Sequence, residues 1–188
     1  MKTHIYPAIK ITVILLLLLS VVYPALVWAI AQIAPNHGKG EMLQYNGQMY
    51  YRNIGQAFSR DDYFWSRPSA VDYNAAGSGG SNKGPSNGEY LSEVKSRIDT
   101  FLVHNPTIQR AQVPVDMVTA SGSGLDPDIS VEAAKIQIDR VAKARAISVN
   151  SLQSLVDAHV QTPLWHIIGP RKINVLELNI ALDKMVEK

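Results

Sequence analysis

The sequence contains no cysteine, which excludes disulfides, thiolate nucleophiles and Cys-ligated metals. The redox compartment stays open, because a Cys-free domain folds on either side of a membrane. Charge is missing from one long interval: no Asp, Glu, Lys or Arg lies between Lys10 and Lys39. Of the 18 Lys and Arg only Lys2 and Lys10 precede that interval, and none of the 16 Asp and Glu does, so the rest is balanced before His is counted. A neutral remainder lacks the basic footprint of a nucleic-acid binder, and no basic run follows the interval to recruit anionic lipid. The five His (His4, His37, His104, His159, His166) occupy separate segments without an H-x-x-x-H spacing, which argues against a metal centre of His and carboxylates. Internal repeats and heptad seams are also absent.

The charge-free interval holds residues 11–33, ITVILLLLLSVVYPALVWAIAQI. As a helix these 23 residues span about 34 Å, enough to cross a hydrocarbon core of about 30 Å. A helix suits that medium because it pairs its own backbone groups. Thr12 and Ser20 are expected to return their hydroxyls to a carbonyl one turn back, and Pro24 to bend the helix. Tyr23 lies too centrally for an interfacial anchor, whereas Trp28 falls nearer the far headgroups. The alternative is an exported binding domain with a cleaved signal peptide, Val27-Trp28-Ala29 or Ala29-Ile30-Ala31 being the exit. The apolar run continues through both sites to Ile33, which favours a retained anchor. Lys2 and Lys10 before the span, against sparser Lys39 and Arg52 after it, place the N-terminus in the cytoplasm. The expected division is residues 1–10 cytoplasmic, 11–33 transmembrane and 34–188 an extracytoplasmic domain of about 150 residues, a size that builds one core.

Turn formers at residues 35–39 end the anchor. Asn46-Gly47, flanked by Leu43-Gln44-Tyr45 and Gln48-Met49-Tyr50, predicts a hairpin with a type I′ turn. Residues 54–58 and Tyr63-Phe64-Trp65 supply apolar and aromatic core material. Residues 66–87 are crowded with Gly, Ser, Asn and Pro and read as a long functional loop. A helix is predicted after a Ser86/Glu89 capping box, with Leu91, Val94, Ile98 and Phe101/Leu102 inward, ending at Asn105-Pro106. Residues 113–119 read as a short strand, and residues 120–128 as a second Gly/Ser loop. Further helices open on Ser130 (inward Val131, Ala134, Ile138, Val141/Ala142), on Ser148 (inward Val149, Leu152, Leu155/Val156, Val160) and on Asn174 with Glu177 (inward Val175, Leu178, Leu182, Met185). Arg140, Lys143 and Arg145 complement a helix C-terminus. The fold class is α+β: one membrane helix, then a small domain with a short sheet and about four helices.

Two loops invite chemistry. The first, Gly77-Ser78-Gly79-Gly80-Ser81-Asn82-Lys83-Gly84, could gather backbone N–H groups around an anion. It is no Walker A loop, because Pro85 stands where the lysine belongs. The second, Ser121-Gly122-Ser123-Gly124-Leu125-Asp126-Pro127, resembles a nucleophile elbow, but Ser121 replaces its first Gly. A tight turn with Asp126 in an Asx role is the simpler reading, against a tethered hydrolase using Ser123. His159 reads as a satisfied, partly buried group. Arg67, beside Trp65 and Pro68, could fork onto a carboxylate of a partner or of this domain.

Taken in order, Tyr63 to Ala70, Ser78 to Asn82 with Gly84 to Asn87, Val118 to Pro127, Arg140 to Ala142 with Ala144-Arg145, and Asn174 to Asn179 resemble the blocks of one family. That family is KdpC, the small subunit of the bacterial high-affinity potassium-transporting ATPase, and the resemblance covers nearly the whole chain. It implies a non-catalytic, non-transporting accessory subunit in the inner membrane, with partners KdpB (the P-type ATPase subunit), KdpA (channel-like) and the small KdpF. The resemblance also implies a catalytic chaperone that raises the ATP affinity of the ATPase subunit, with ATP reached through the complex. On that account Ser78, Gly79, Gly80, Ser81, Asn82, Ser121, Gly122, Ser123 and Gly124 are nucleotide-contact candidates. Trp65, Arg67 and Asp126 are candidates for subunit contact. No DKTG-type phosphorylation loop is present, so the chain is not the pump by itself. The charge bias puts the domain outside the cytoplasm, where ATP is scarce, and stands against direct nucleotide contact.

Overall fold

The computed structural model describes residues 2–34, 36–163, 165 and 167–186. Pro35, the first of the turn formers expected at residues 35–39, and His166 lie outside the described residues. The chain divides into two compact units, Met1–Gln44 with Met49–Tyr51, and Tyr45–Gln48 with Arg52–Lys188.

In the first unit the apolar run is helical from Lys2, nine residues before Ile11. Helix α1 covers Lys2–Leu17, a π-helical turn covers Leu18–Val22 and α2 covers Tyr23–Ile33. Residues His4–Ile33 are long and apolar enough to cross a membrane, and no part of that length is buried in the chain. Pro24, near the start of α2, has no N–H to give and needs room for its ring. The widened turn just before it answers both needs, with the Tyr23 N–H reaching back five residues to the Leu18 carbonyl. The expected back-bonds of Thr12 and Ser20 are not made: neither hydroxyl has a hydrogen bond within the described chain. Beyond the anchor, β1 (Met42–Tyr45) and β2 (Gln48–Tyr51) form the anticipated hairpin. Asn46 and Gly47 at φ 49° and 76° have the two positive angles that a type I′ turn requires.

The second unit holds the core. Helices α3 (Gly88–His104), α4 (Val131–Lys135), α5 (Ile138–Arg145), α6 (Val149–Ala158) and α7 (Val175–Val186) pack around one apolar cluster. Phe64, Val141, Leu152, Val156, Ile173, Leu178 and Leu182 are fully buried in it. Ser130, Ser148 and Asn174 cap as anticipated, their side-chain oxygens accepting from Ala133, Ser151 and Glu177 N–H. A two-stranded sheet of β3 (Asp128–Ser130) and β4 (Lys172–Asn174) lies against α4 and α7, antiparallel with Ile129 opposite Ile173.

Several expectations are corrected. The cap of α3 is Asn87, not Ser86, because the helix starts one residue later and Asn87 Oδ1 takes the Tyr90 N–H. Residues 113–119 make no strand; Pro114 cannot donate to a ladder, and its carbonyl closes a 3₁₀ turn at Val115–Met117 instead. The helix after Ser130 breaks between Lys135 and Ile138, where Gln137 turns its side chain into the core. Leu91, Val149 and Met185 lie on the outer side of their stripes and are exposed. The β3–β4 pair was not anticipated.

One buried amide fixes the aromatic segment to the last helix. Asn179, 1% exposed, accepts the Phe64 N–H and donates to the Phe64 carbonyl, both at 2.9 Å. Asn179→Leu keeps the volume but leaves two buried backbone groups unpaired, at about 1–3 kcal/mol each. The variant is expected to lose about 2–4 kcal/mol in thermal unfolding followed by circular dichroism. A loss near zero would show that Phe64 finds other partners.

Candidate functional site

The two serine–glycine loops meet. Gly79 N–H donates to the Ser123 carbonyl at 2.9 Å, and Ser78 Oγ donates to the same oxygen at 3.0 Å. Ser69 Oγ donates to the Gly124 carbonyl at 2.7 Å and accepts from the Val71 and Tyr73 N–H groups. The approach is backbone to backbone. A Cβ at Gly124 would lie 2.7 Å from the Gly79 oxygen, and Gly124 also has φ +67°, so glycine is needed there twice over. At the base of the pair, Gly55 N–H donates to Leu125 O at 2.7 Å, closing a third segment onto the second loop.

An ion pair sits beside the loops. Arg67 Nη1 lies 2.6 Å from Asp126 Oδ2, with both side chains largely covered. The other Asp126 oxygen accepts the Asp128 N–H, which is the Asx turn read from the sequence. Thus two of the three subunit-contact candidates hold each other. The third, Trp65, is half-buried; its indole N–H donates to Arg60 O at 2.9 Å, and its ring meets Phe101 and His104 edge-on. Lys83 is drawn down to α3, with Nζ 2.9 Å from Glu93 and 3.3 Å from Glu89. The Glu93 hydrogen bond, with Glu89 adding to it, outweighs the small desolvation and raises the Lys83 pKa above its ordinary value.

The nucleotide-contact candidates divide. Ser78 and Gly79 spend polar groups on the Ser123 carbonyl across the two loops, while the Gly124 N–H stays with Ser121 and its carbonyl takes the Ser69 hydroxyl. Ser81, Asn82, Gly122 and Ser123 remain exposed, with Gly80 half-buried above the Gly122 carbonyl. The neighbouring cations Arg67 and Lys83 already hold carboxylates. Ser123 Oγ contacts Ser121 Oγ and the Leu125 N–H, and among the described residues neither His nor carboxylate bonds to it. An activated serine needs such a base. His159 is partly buried against the Leu155 carbonyl, as read.

Sequence reading missed the domain's most constrained cation. Arg140, whose side chain is 4% exposed, donates from Nη1 to the Asp61 and Tyr63 carbonyls, from Nε to Asn105 Oδ1 and from Nη2 to Gln137 Oε1. Its guanidinium also lies 4.6 Å from the Trp65 ring centroid. Burial pushes its pKa down to about 10, against the pull of Asp61 and Asp62, so it stays charged at neutral pH. Arg145 similarly pairs with Asp183 at 2.6 Å, and Asp183 accepts from the Tyr45 and Tyr63 hydroxyls. Burial raises the Asp62 pKa, but the hydrogen bonds and charge of Arg60, with the charge of Arg145, hold it below the ordinary Asp value. A sequence signal existed only for the group as a whole: Arg140 and Arg145 fall in one block, R-V-A-K-A-R.

The profile described as KdpC, K+-transporting ATPase, c chain, matches residues 5–184. The chain belongs to the KdpC family. A family member from Flavobacterium johnsoniae is 51% identical over 183 residues, covering 97% of this chain and 98% of its own. One from Bacteroides fragilis is 49% identical over 189 residues, 98% of each chain. A more distant one from Paraburkholderia phytofirmans is 45% identical over 190 residues, again 98% of each. All three bear the description potassium-transporting ATPase KdpC subunit. In this KdpC-family chain the clasped loops and the buried arginine belong to the domain that follows the N-terminal apolar helix.

Proposed function

We propose that the chain is the accessory subunit of a potassium-transporting ATPase in the bacterial inner membrane, non-catalytic itself and acting through assembly with KdpA, KdpB and KdpF. The observation that carries this reading is the family match from residue 5 to residue 184, spanning anchor and domain alike. Its own chemistry supports an accessory role, since the one candidate serine nucleophile has no base bonded to it among the described residues. Contact surface is in supply: Trp165, Ile167 and Ile168, in the segment before β4, are 75%, 84% and 57% exposed. Apolar exposure of that kind on a single-span chain suits burial against another subunit.

The domain lies outside the cytoplasm, on the charge bias of Lys2 and Lys10. Raised ATP affinity in the complex is then an effect transmitted through the partners. The rims of the two serine–glycine loops serve as subunit contact, because the cations that would meet a triphosphate are committed to Asp126, Glu89 and Glu93.

Orientation tests this directly. Gly84 is exposed, and a Cβ there meets nothing within 4 Å, so Gly84→Cys puts a single thiol into a Cys-free chain without strain. In cells with a permeabilised outer membrane, an impermeant maleimide is expected to label it in the assembled complex. Labelling only after lysis, also seen for Ser59→Cys at a second exposed position, would place the domain inside and make the loops the nucleotide site.

A further inference from the structure

The middle of the membrane helix holds polar groups that the chain itself leaves without partners. In a helix the Leu19 carbonyl takes its donor from residue 23, or in a π turn from residue 24. Tyr23 N–H is bonded to Leu18 O, and residue 24 is proline. The Leu19 carbonyl is therefore short of both helical donors. The Ser20 hydroxyl and the Tyr23 hydroxyl have no hydrogen bond in the described chain, and the Tyr23 side chain is 62% exposed. These three groups fall within one turn near the centre of the His4–Ile33 span. Leu19 is about 20 Å along the axis from either end of that span. Water does not reach that depth, and each unpaired group there costs several kcal/mol.

We propose that this widened turn is a docking point for a transmembrane segment of another subunit, one that brings a hydrogen-bond donor to the Leu19 carbonyl and an acceptor to Ser20 or Tyr23. Lipid chains offer neither group. The run has no GxxxG to hold two copies of this chain together. The inference rests on the accessory-subunit reading and adds to it the depth, the residues and the chemistry of the contact.

The experiment uses the full complex, extracted in mild detergent through a tag on this chain. The double variant Ser20→Ala with Tyr23→Phe removes only two oxygens. It is expected to recover about tenfold less of the partner subunits, since two intramembrane hydrogen bonds together amount to about that factor. The outer-face control Ile14→Ala is expected to recover the wild-type amount. A photo-crosslinking residue at Leu19 is expected to form one adduct, with a single larger subunit. Recovery equal to wild type in the double variant overturns this inference alone, as does an adduct joining two copies of this chain. Failure of the wild-type chain to bring down any ATPase subunit would instead remove the reading beneath it.

Discussion

Arg140→Ala is expected to destabilise the domain by about 3–5 kcal/mol, the usual result of breaking a buried charged network from one side. Five acceptors each lose a donor at once: the Arg60, Asp61 and Tyr63 carbonyls, Asn105 Oδ1 and Gln137 Oε1. Gln137 Oε1 also receives the Trp65 N–H at 2.7 Å, so the loss spreads into the aromatic segment. At about 2–4 °C per kcal/mol for a domain of this size, the midpoint falls by roughly 10 °C, readable by tryptophan fluorescence. Arg140→Lys separates charge from geometry. An ammonium cannot serve carbonyls on one side and two amide oxygens on the other, so most of the loss should persist. If the lysine variant is as stable as wild type, the fork geometry is irrelevant and charge alone counts.

The second large effect is at the loop clasp. Gly124→Val forces a branched side chain into φ +67°, with Cβ 2.7 Å from Gly79 O and 2.8 Å from Val71 Cγ2. Left-handed strain alone is about 1–3 kcal/mol, and neither backbone oxygen nor packed valine can give way cheaply. The loops are expected to separate, and cleavage within residues 77–84 by a limiting protease to rise by roughly tenfold or more. Gly84→Val is the control, since nothing lies within 4 Å of its Cβ. Unchanged cleavage in Gly124→Val would mean that the first loop is held by something other than the second.

Local features were the legible ones. Asn46-Gly47 named its turn because both residues favour positive φ, whatever the rest of the chain does. Ser130, Ser148 and Asn174 named their helix starts for the same reason, each capping within three residues of itself. Features made by distant segments were not legible. Strands β3 and β4 are three residues each, too short for any alternation to show. Arg140 looked like a surface cation at a helix end, because nothing in the helix says that the Asp61 and Tyr63 carbonyls will close over it. Both serine–glycine loops stood out by composition, yet only the fold brings Gly79 to Ser123 and Arg67 to Asp126.

The place of the last helix has a consequence for biosynthesis. Ile173, Val175, Leu178 and Leu182 are buried at the centre of the core, and Asn179 clamps Phe64 from more than a hundred residues away. A nascent chain that stops short of these residues has no apolar centre to close around and no partner for Phe64. The apolar helix, made first, is committed to the bilayer long before the domain can form. The domain can therefore close its core only after the last helix has been made, so its folding waits on the end of synthesis.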